Sequence, residues 1–112
     1  MTPITGFMAE DTKFTYHFDW DPVKAQSNLA DHRVSFRLAS SVLRDPLAST
    51  VYDEDHDEEE ERWATLGKAD NGQYLVVIHT FHQITPTEAK IRIISARRAT
   101  KRELQDYHEG SR

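Results

Sequence analysis

The chain has 112 residues, of which 38% are hydrophobic and 29% charged, with a formal net charge of −5 and no cysteine. This length supports one small domain with a single core, and the missing cysteines exclude disulfides and thiolate metal sites. No apolar run reaches the roughly 20 residues that span a bilayer, and the N-terminal residues lack a secretory signal pattern, so we expect a cytoplasmic protein.

The net charge hides two segments of opposite sign. Residues 53–61 hold eight acidic residues and one histidine. Without them, 11 acidic residues remain against 14 lysines and arginines, a net charge of +3. The acidic run begins with the spacing of an EF-hand loop, but Glu58 replaces the required glycine and Ala64 the required glutamate. We therefore interpret the chain as a mildly basic body that carries one solvated acidic loop.

The first half of the chain predicts one strand and two helices. Alternating aromatic residues indicate a strand, and the pair Asp21-Pro22 supplies a helix cap and a first helical residue. Ser35 caps a second helix, which Asp45-Pro46 ends. The predicted elements are a flexible leader over 1–13, a strand over 14–18, a helix over 22–32 and a helix from 36, all but the leader within a domain spanning 14–110.

The second half predicts a β-meander and a terminal helix. Asn71-Gly72 is typical of a hairpin turn, and the apolar run after it indicates a central strand buried on both faces. Thr100 and Glu103 form a capping-box pattern, and Gly110 ends the helix that follows. The predicted elements are strands over 47–52, 61–68, 74–80 and 91–96, a polar connection over 81–89, and a helix over 100–108. The fold class is therefore α+β, with two N-terminal helices, an antiparallel sheet of three to four strands and one C-terminal helix.

The most informative segment is KIRIISARRATKRE, residues 90–103, because it places six cations in thirteen residues. The capping box puts Lys101 and Arg102 in the first helical turn, where the macrodipole disfavours each cation by roughly 0.3–1 kcal/mol. An anion such as phosphate at this helix start would explain them. The alternative is a solvated basic face without a ligand. Arg92, Arg97 and Arg98 together offer the bidentate donors that a phosphodiester requires.

The histidines and aromatic residues leave their roles open. His79 and His82 are close in sequence, but strand alternation separates their side chains, which argues against zinc. His79 interrupts an apolar strand, so it is either a hydrogen-bonded core residue or a titratable group in a ligand cleft. Trp63, Tyr74 and Phe81 are core residues or platforms on which bases stack.

The segments FDWDPVKAQSNLADHRVSF, YDEDHDEEEERWATLG, VVIHT and IRIISARRATKRELQDY resemble the BrnT family over about residues 16–107. Lys-His-Gly is usual in that family, and Asp31-His32-Arg33 stands here, so the junction between the first two helices is expected to differ. The matching positions are Trp20, Asp21, Lys24, Asn28, His32, Phe36, Glu61, Arg62, Gly67, Arg92, Ser95, Arg97, Ala99, Glu103 and Tyr107.

The resemblance implies a RelE-like fold and a toxin of a type II toxin–antitoxin system. Such a toxin would be an endoribonuclease of the mRNA interferase type that needs no metal or cofactor and arrests translation and growth. Its partners would be an RNA substrate and a cognate antitoxin, whose DNA-binding domain represses the operon. An alternative is an inactive module that binds RNA or protein through the basic C-terminal segment.

We expect the reaction to be attack of a ribose 2′-hydroxyl on the adjacent phosphorus, which needs a base, an acid and cationic donors. The hypothesis assigns charge stabilisation to Arg62, Arg92 and Arg97. It assigns proton transfer to Glu61 or His79, with His32 as a further candidate. The remaining cations would hold the RNA backbone, namely Lys90, Arg98, Lys101 and Lys24.

Overall fold

The structure is a computed structural model that describes residues 14–54 and 60–110. The predicted leader and the middle of the acidic run lie outside the described residues. The described chain forms six strands and three helices: β1 Thr15–Trp20, α1 Pro22–His32, α2 Phe36–Val42, β2 Ser49–Tyr52, β3 Trp63–Lys68, β4 Tyr74–His79, β5 His82–Thr85, β6 Glu88–Arg98 and α3 Lys101–Glu109. None of these helices has the length and apolar character needed to cross a membrane.

The helices begin where their capping residues predict. The Asp21 carboxylate accepts a hydrogen bond from the backbone N–H of Val23 at 2.9 Å, and the Ser35 hydroxyl accepts one from Leu38 at 3.0 Å. At the end of α1, Arg33 adopts a left-handed conformation with φ of 60° and donates its N–H to Leu29. The turn thus keeps the geometry that favours glycine, although an arginine occupies it.

The sheet confirms the central strand and corrects the predicted topology. The strand order is β1-β6-β4-β3-β2, with β5 paired to β6 beside this path. β4 lies in the middle, as its apolar sequence indicates. β1 pairs with β6 in parallel, however, so the sheet is mixed and has six strands in the described part of the chain. This pairing joins residues more than 70 positions apart, and no local sequence signal specifies it.

The segment predicted as a polar connection over residues 81–89 contains a strand. Residues His82–Thr85 form β5, which pairs antiparallel with the start of β6, and His82 lies opposite Lys90. All four β5 residues are exposed. Their polar composition therefore reflects a solvated hairpin arm, and not a loop.

One face of the sheet packs on α1 and α2 and forms the core. Leu75 and Val77 from β4 meet Ile91 and Ile93 from β6 in one buried cluster with residues of α2. Asn28 ties α1 to this layer, because its side chain exchanges hydrogen bonds of 2.8 and 3.1 Å with the backbone of Ala96.

A bulge in β6 controls which side chains reach the other face. His79 lies opposite Ile93, whereas Ile78 lies opposite Ser95, so one residue of β6 is extra. Ile93 and Ala96 are therefore both buried in the core although three positions separate them. By the same shift, Arg92 and Arg97 project from the opposite face, which plain alternation would not predict.

Candidate active site

A cleft of about 330 Å³ lies where β4 ends and β5 begins. It combines carboxylates, cations, a histidine and an aromatic ring from three parts of the chain. Its lining residues are Glu60, Glu61, Thr80, Phe81, His82, Lys90 and Arg92. The cleft therefore brings together three of the side chains predicted for RNA chemistry, namely Glu61, Lys90 and Arg92.

Strand β6 positions the two cations of the cleft. Lys90 and Arg92 alternate with the buried residues Ala89 and Ile91, so both project away from the core. The backbone N–H of Arg92 donates to the Thr80 hydroxyl at 3.1 Å, and the Thr80 N–H donates to the Arg92 carbonyl at 3.0 Å. These bonds fix the strand that carries the cations to the residue that follows β4.

Asp19 balances both cations from the neighbouring strand. The parallel register places it opposite Arg92, with its carboxylate 3.6 Å from Arg92 Nε and 3.4 Å from Lys90 Nζ. Both separations exceed the usual length of a charged hydrogen bond. Asp19 therefore holds the two cations near each other while their donors stay available to an anion in the cleft.

Arg62 does not join Arg92 in the cleft. Arg62 directly precedes β3, Arg92 lies within β6, and β4 runs between these strands. The Arg62 side chain is half-buried, and its Nε atom is buried without a hydrogen-bond partner among residues 14–54 and 60–110. Glu61, the preceding residue, is exposed and lines the cleft.

His79 lies on the core face and is only 2% exposed. Its Nδ1 atom is 2.9 Å from the Thr80 carbonyl and its Nε2 atom is 2.7 Å from the Thr65 hydroxyl. Burial lowers the pKa of His79, although the bond to Thr80 acts in the opposite direction. The side chain is therefore a hydrogen-bonded core histidine, and it does not face the cleft.

Arg97 is engaged with Glu103 at the start of α3. Two hydrogen bonds of 2.8 and 2.9 Å join the guanidinium to the carboxylate. Glu103 also accepts the Thr100 N–H and completes the predicted capping box. The hydrogen bonds from Arg97 lower the pKa of Glu103 to about 2, against the effect of burial. The Glu103 carboxylate thus supplies a negative charge at this helix start and occupies the Arg97 guanidinium.

The other predicted RNA-binding residues lie away from the cleft. Lys24 and His32 are exposed on α1, which covers the opposite face of the sheet. Arg98 ends β6 opposite Leu75, and Lys101 lies on α3 beside Asp106 and Glu109 in a separate shallow depression.

The sequence does not indicate the cleft residues Thr80 and His82 as parts of an RNA site, nor Asp19, which contacts the two cations of the cleft. The parallel pairing of β1 with β6 brings Asp19 next to the cations, and the hydrogen bond between Thr80 and Arg92 brings Thr80 into the cleft. His82 was considered only as a metal ligand. Within the described parts of the chain, no three His, Cys, Asp or Glu side chains converge on a possible metal position.

The comparisons with known proteins agree with this architecture. The sequence model of the family described as "Ribonuclease toxin, BrnT, of type II toxin-antitoxin system" matches residues 20–103. The crystal structure of the Brucella abortus ribonuclease toxin BrnT superposes with a TM-score of 0.52 and 21% identity, covering 80% of this chain and all of that one. No curated protein matches the sequence. The chain belongs to the BrnT family of ribonuclease toxins of type II toxin–antitoxin systems.

Proposed function

We propose that the protein is a metal-independent endoribonuclease that cleaves RNA within the cleft of Glu61, His82, Lys90 and Arg92. The observation that carries the proposal is the juxtaposition of two cations with two groups able to transfer protons in one cavity. A phosphodiester needs both kinds of group, because negative charge and protons move together when it is cleaved.

In the proposed reaction the ribose 2′-oxygen forms a bond to phosphorus while the bond from phosphorus to the 5′-oxygen breaks. Glu61 accepts the proton of the 2′-hydroxyl, and His82 gives a proton to the departing 5′-oxygen. Lys90 and Arg92 stabilise the charge on the non-bridging oxygens. The products are a 2′,3′-cyclic phosphate and a 5′-hydroxyl, and every proton is accounted for by the two side chains. Histidine suits the acid role because its imidazole ring can donate a proton from nitrogen and take one back.

The proposal gives Arg62, Arg97, His79 and His32 no direct part in the reaction. Arg97 already donates two hydrogen bonds to Glu103, and both ring nitrogens of His79 have protein partners. Asp19 acts as a positioning residue, since it contacts both cations from β1.

Cleavage of a single-stranded RNA by purified protein tests the assignment. Replacing Arg92 by Ala removes a donor aimed at the developing charge, and we expect the rate to fall by about 100-fold or more. Arg37→Ala is the matched control, since Arg37 is an exposed arginine on α2, in the helix layer. Equal rates for the two folded variants would contradict the proposal. A module that binds RNA without cleaving it would retain RNA in all three proteins and yield no 5′-hydroxyl ends.

The same proposal includes the biological setting of the family. The ribonuclease would inhibit translation and growth by cleaving mRNA, and a cognate antitoxin with a DNA-binding domain would neutralise it. The family description supports this assignment, because a type II system pairs a toxin with a protein antitoxin. Copurification of the chain with the product of the adjacent gene is the direct test.

A further inference from the structure

A second cavity, of about 420 Å³, lies beside the cleft and has no role in the reaction above. Phe81 lines both cavities, so the two adjoin at this side chain. Its lining is mainly aromatic and hydroxyl side chains, without the cations of the cleft. The members that matter here are Tyr16, Asp45, Thr50, Trp63 and Phe81, above a floor of Thr65 and His79.

Aromatic rings form the walls of the second cavity. Trp63 is half-buried, and Tyr52 holds it in an edge contact with ring centroids 5.2 Å apart. Phe81 is 45% exposed, so its ring is accessible to a ligand. Flat rings of this kind bind flat ligands by stacking, and every nucleobase offers such a face.

The floor of the cavity presents hydrogen-bond acceptors to a ligand. The Thr80 carbonyl can only accept, so the His79 proton lies on Nδ1 and Nε2 accepts from the Thr65 hydroxyl. Thr65 has then used its single proton, and the Thr50 hydroxyl must donate to it across 2.7 Å. The exposed oxygen of Thr50 therefore has only lone pairs left for a ligand.

Asp45 adds a negative charge to the same cavity. Its carboxylate accepts hydrogen bonds from the backbone N–H groups of Lys68 and Leu47 and from the Tyr107 hydroxyl, at 2.7 to 2.9 Å. Although burial acts to raise it, these bonds lower the pKa of Asp45, so the group is ionised near neutrality. A phosphate would be repelled here, whereas a neutral group with N–H donors would be bound.

We propose that this cavity is a nucleobase subsite, which binds a base of the RNA strand next to the phosphate held by Lys90 and Arg92. The inference rests on the proposed function and deepens it. Phe81 stacks on the base, and Thr50 accepts a hydrogen bond from an amino group. The subsite therefore favours adenine, cytosine or guanine, which carry an exocyclic amino group, over uracil, whose N3–H donor lies between two carbonyl oxygens that would approach the acceptors of the cavity.

The test uses 2′-O-methylated RNA oligomers, which cannot be cleaved by 2′-hydroxyl attack. Dissociation constants for oligo(A) and oligo(U) are measured with the wild type and with Phe81→Leu, Thr50→Val and Phe14→Leu. Phe14 is the matched control, because it is 46% exposed and does not line either cavity. Phe81→Leu keeps an apolar side chain and loses only the aromatic ring. Circular dichroism verifies that each variant is folded.

We expect the wild type to bind oligo(A) more tightly than oligo(U). Phe81→Leu should weaken oligo(A) binding by roughly tenfold, within the range of stacking on one aromatic side chain. Thr50→Val should reduce the preference for oligo(A), and Phe14→Leu should change neither quantity. Equal affinities for Phe81→Leu and Phe14→Leu, with unmodified RNA still cleaved by the wild type, would overturn the subsite alone. A wild type that neither binds nor cleaves RNA would overturn the proposed function itself.

Discussion

At the scale of single residues, His79 shows how a buried polar group is distinguished from a catalytic one. In the sequence it is a lone titratable residue inside an apolar strand, and both interpretations stay open. The deciding fact is the face on which it lies, since it shares the core side of β4 with Leu75 and Val77. There its two ring nitrogens bind Thr65 and Thr80, and the side chain fixes the hydroxyl relay that leads to Thr50.

His79 should make stability depend on pH. Its pKa in the folded protein is below the ordinary histidine value of 6.5, so the unfolded chain binds a proton at a higher pH than the folded chain does. The stabilisation from neutral His79 is therefore lost as the pH falls below about 6.5. We expect the free energy of unfolding, measured with urea, to decrease between pH 7.5 and pH 5.

Substitution of His79 separates this effect from those of other groups. His79→Gln cannot titrate, so its free energy of unfolding should change less over this pH range. At pH 7.5 the free energy of unfolding should be about 1–3 kcal/mol lower than that of the wild type, because buried partners of His79 lose a hydrogen bond. His32→Gln on exposed α1 should retain the pH dependence of the wild type. An unchanged slope in His79→Gln would show that another group is responsible.

At the scale of elements, the basic segment divides into two parts with different tasks. Its strand half, with Lys90 and Arg92, lines the cleft beside Glu61 and His82. Its helix half, around Arg97 and Glu103, is joined by internal hydrogen bonds. The charged segment is thus continuous in the sequence, but in the structure its first half lines the cleft while Arg97 in its second half is hydrogen-bonded to Glu103.

The Glu103 carboxylate should stabilise the start of α3 in a pH-dependent way. Its folded pKa of about 2 lies below the ordinary glutamate value of 4.5, so its contribution to stability is complete above pH 4.5 and is lost as the pH falls from there through 2. Glu103→Gln should reduce the free energy of unfolding by about 1 kcal/mol at pH 7, because solvent screens a partly exposed ion pair. The difference between wild type and variant should vanish near pH 2, as measured by denaturant unfolding. Asp31→Asn, at an exposed site on α1, serves as the control.

Local sequence signals predicted the elements well because their causes are local. The caps at Asp21, Ser35 and Thr100 act within a few residues, and each begins a helix as expected. The apolar run of β4 likewise requires burial on both faces. The parallel pairing of β1 with β6 depends on residues distant in sequence, so it was inaccessible. The directions of the side chains after the β6 bulge were also not predictable from the sequence, since one extra residue reverses the alternation.

The candidate site was predictable only in part, for the same reason. Arg92, Lys90 and Glu61 carry visible charge next to strands, and the cleft contains all three. Asp19 and Thr80 have roles that follow from strand register alone. Phe81 could be read from the sequence as either core or stacking surface, and its exposure favours the second interpretation.

At the scale of the whole molecule, the two faces of the sheet separate the core from the two cations of the cleft. The helix-covered face holds the core, and the opposite face carries Lys90 and Arg92. Because the formal net charge is −5, the molecule as a whole does not attract RNA. RNA binding must therefore depend on a few local cations.

The number of these cations that contact phosphate can be measured from the salt dependence of RNA affinity. Each phosphate contact to single-stranded RNA contributes about −0.7 to the slope of log affinity against log salt, so two contacts predict a slope near −1.4. Arg92→Gln should bring the slope to about −0.7, as measured with uncleavable 2′-O-methylated RNA. Lys24→Gln should leave it unchanged, because Lys24 lies on α1 in the helix layer. A shallower slope for Lys24→Gln would instead show that the RNA continues around the molecule onto the helices, and it would support the wider set of RNA-binding residues that the sequence suggests.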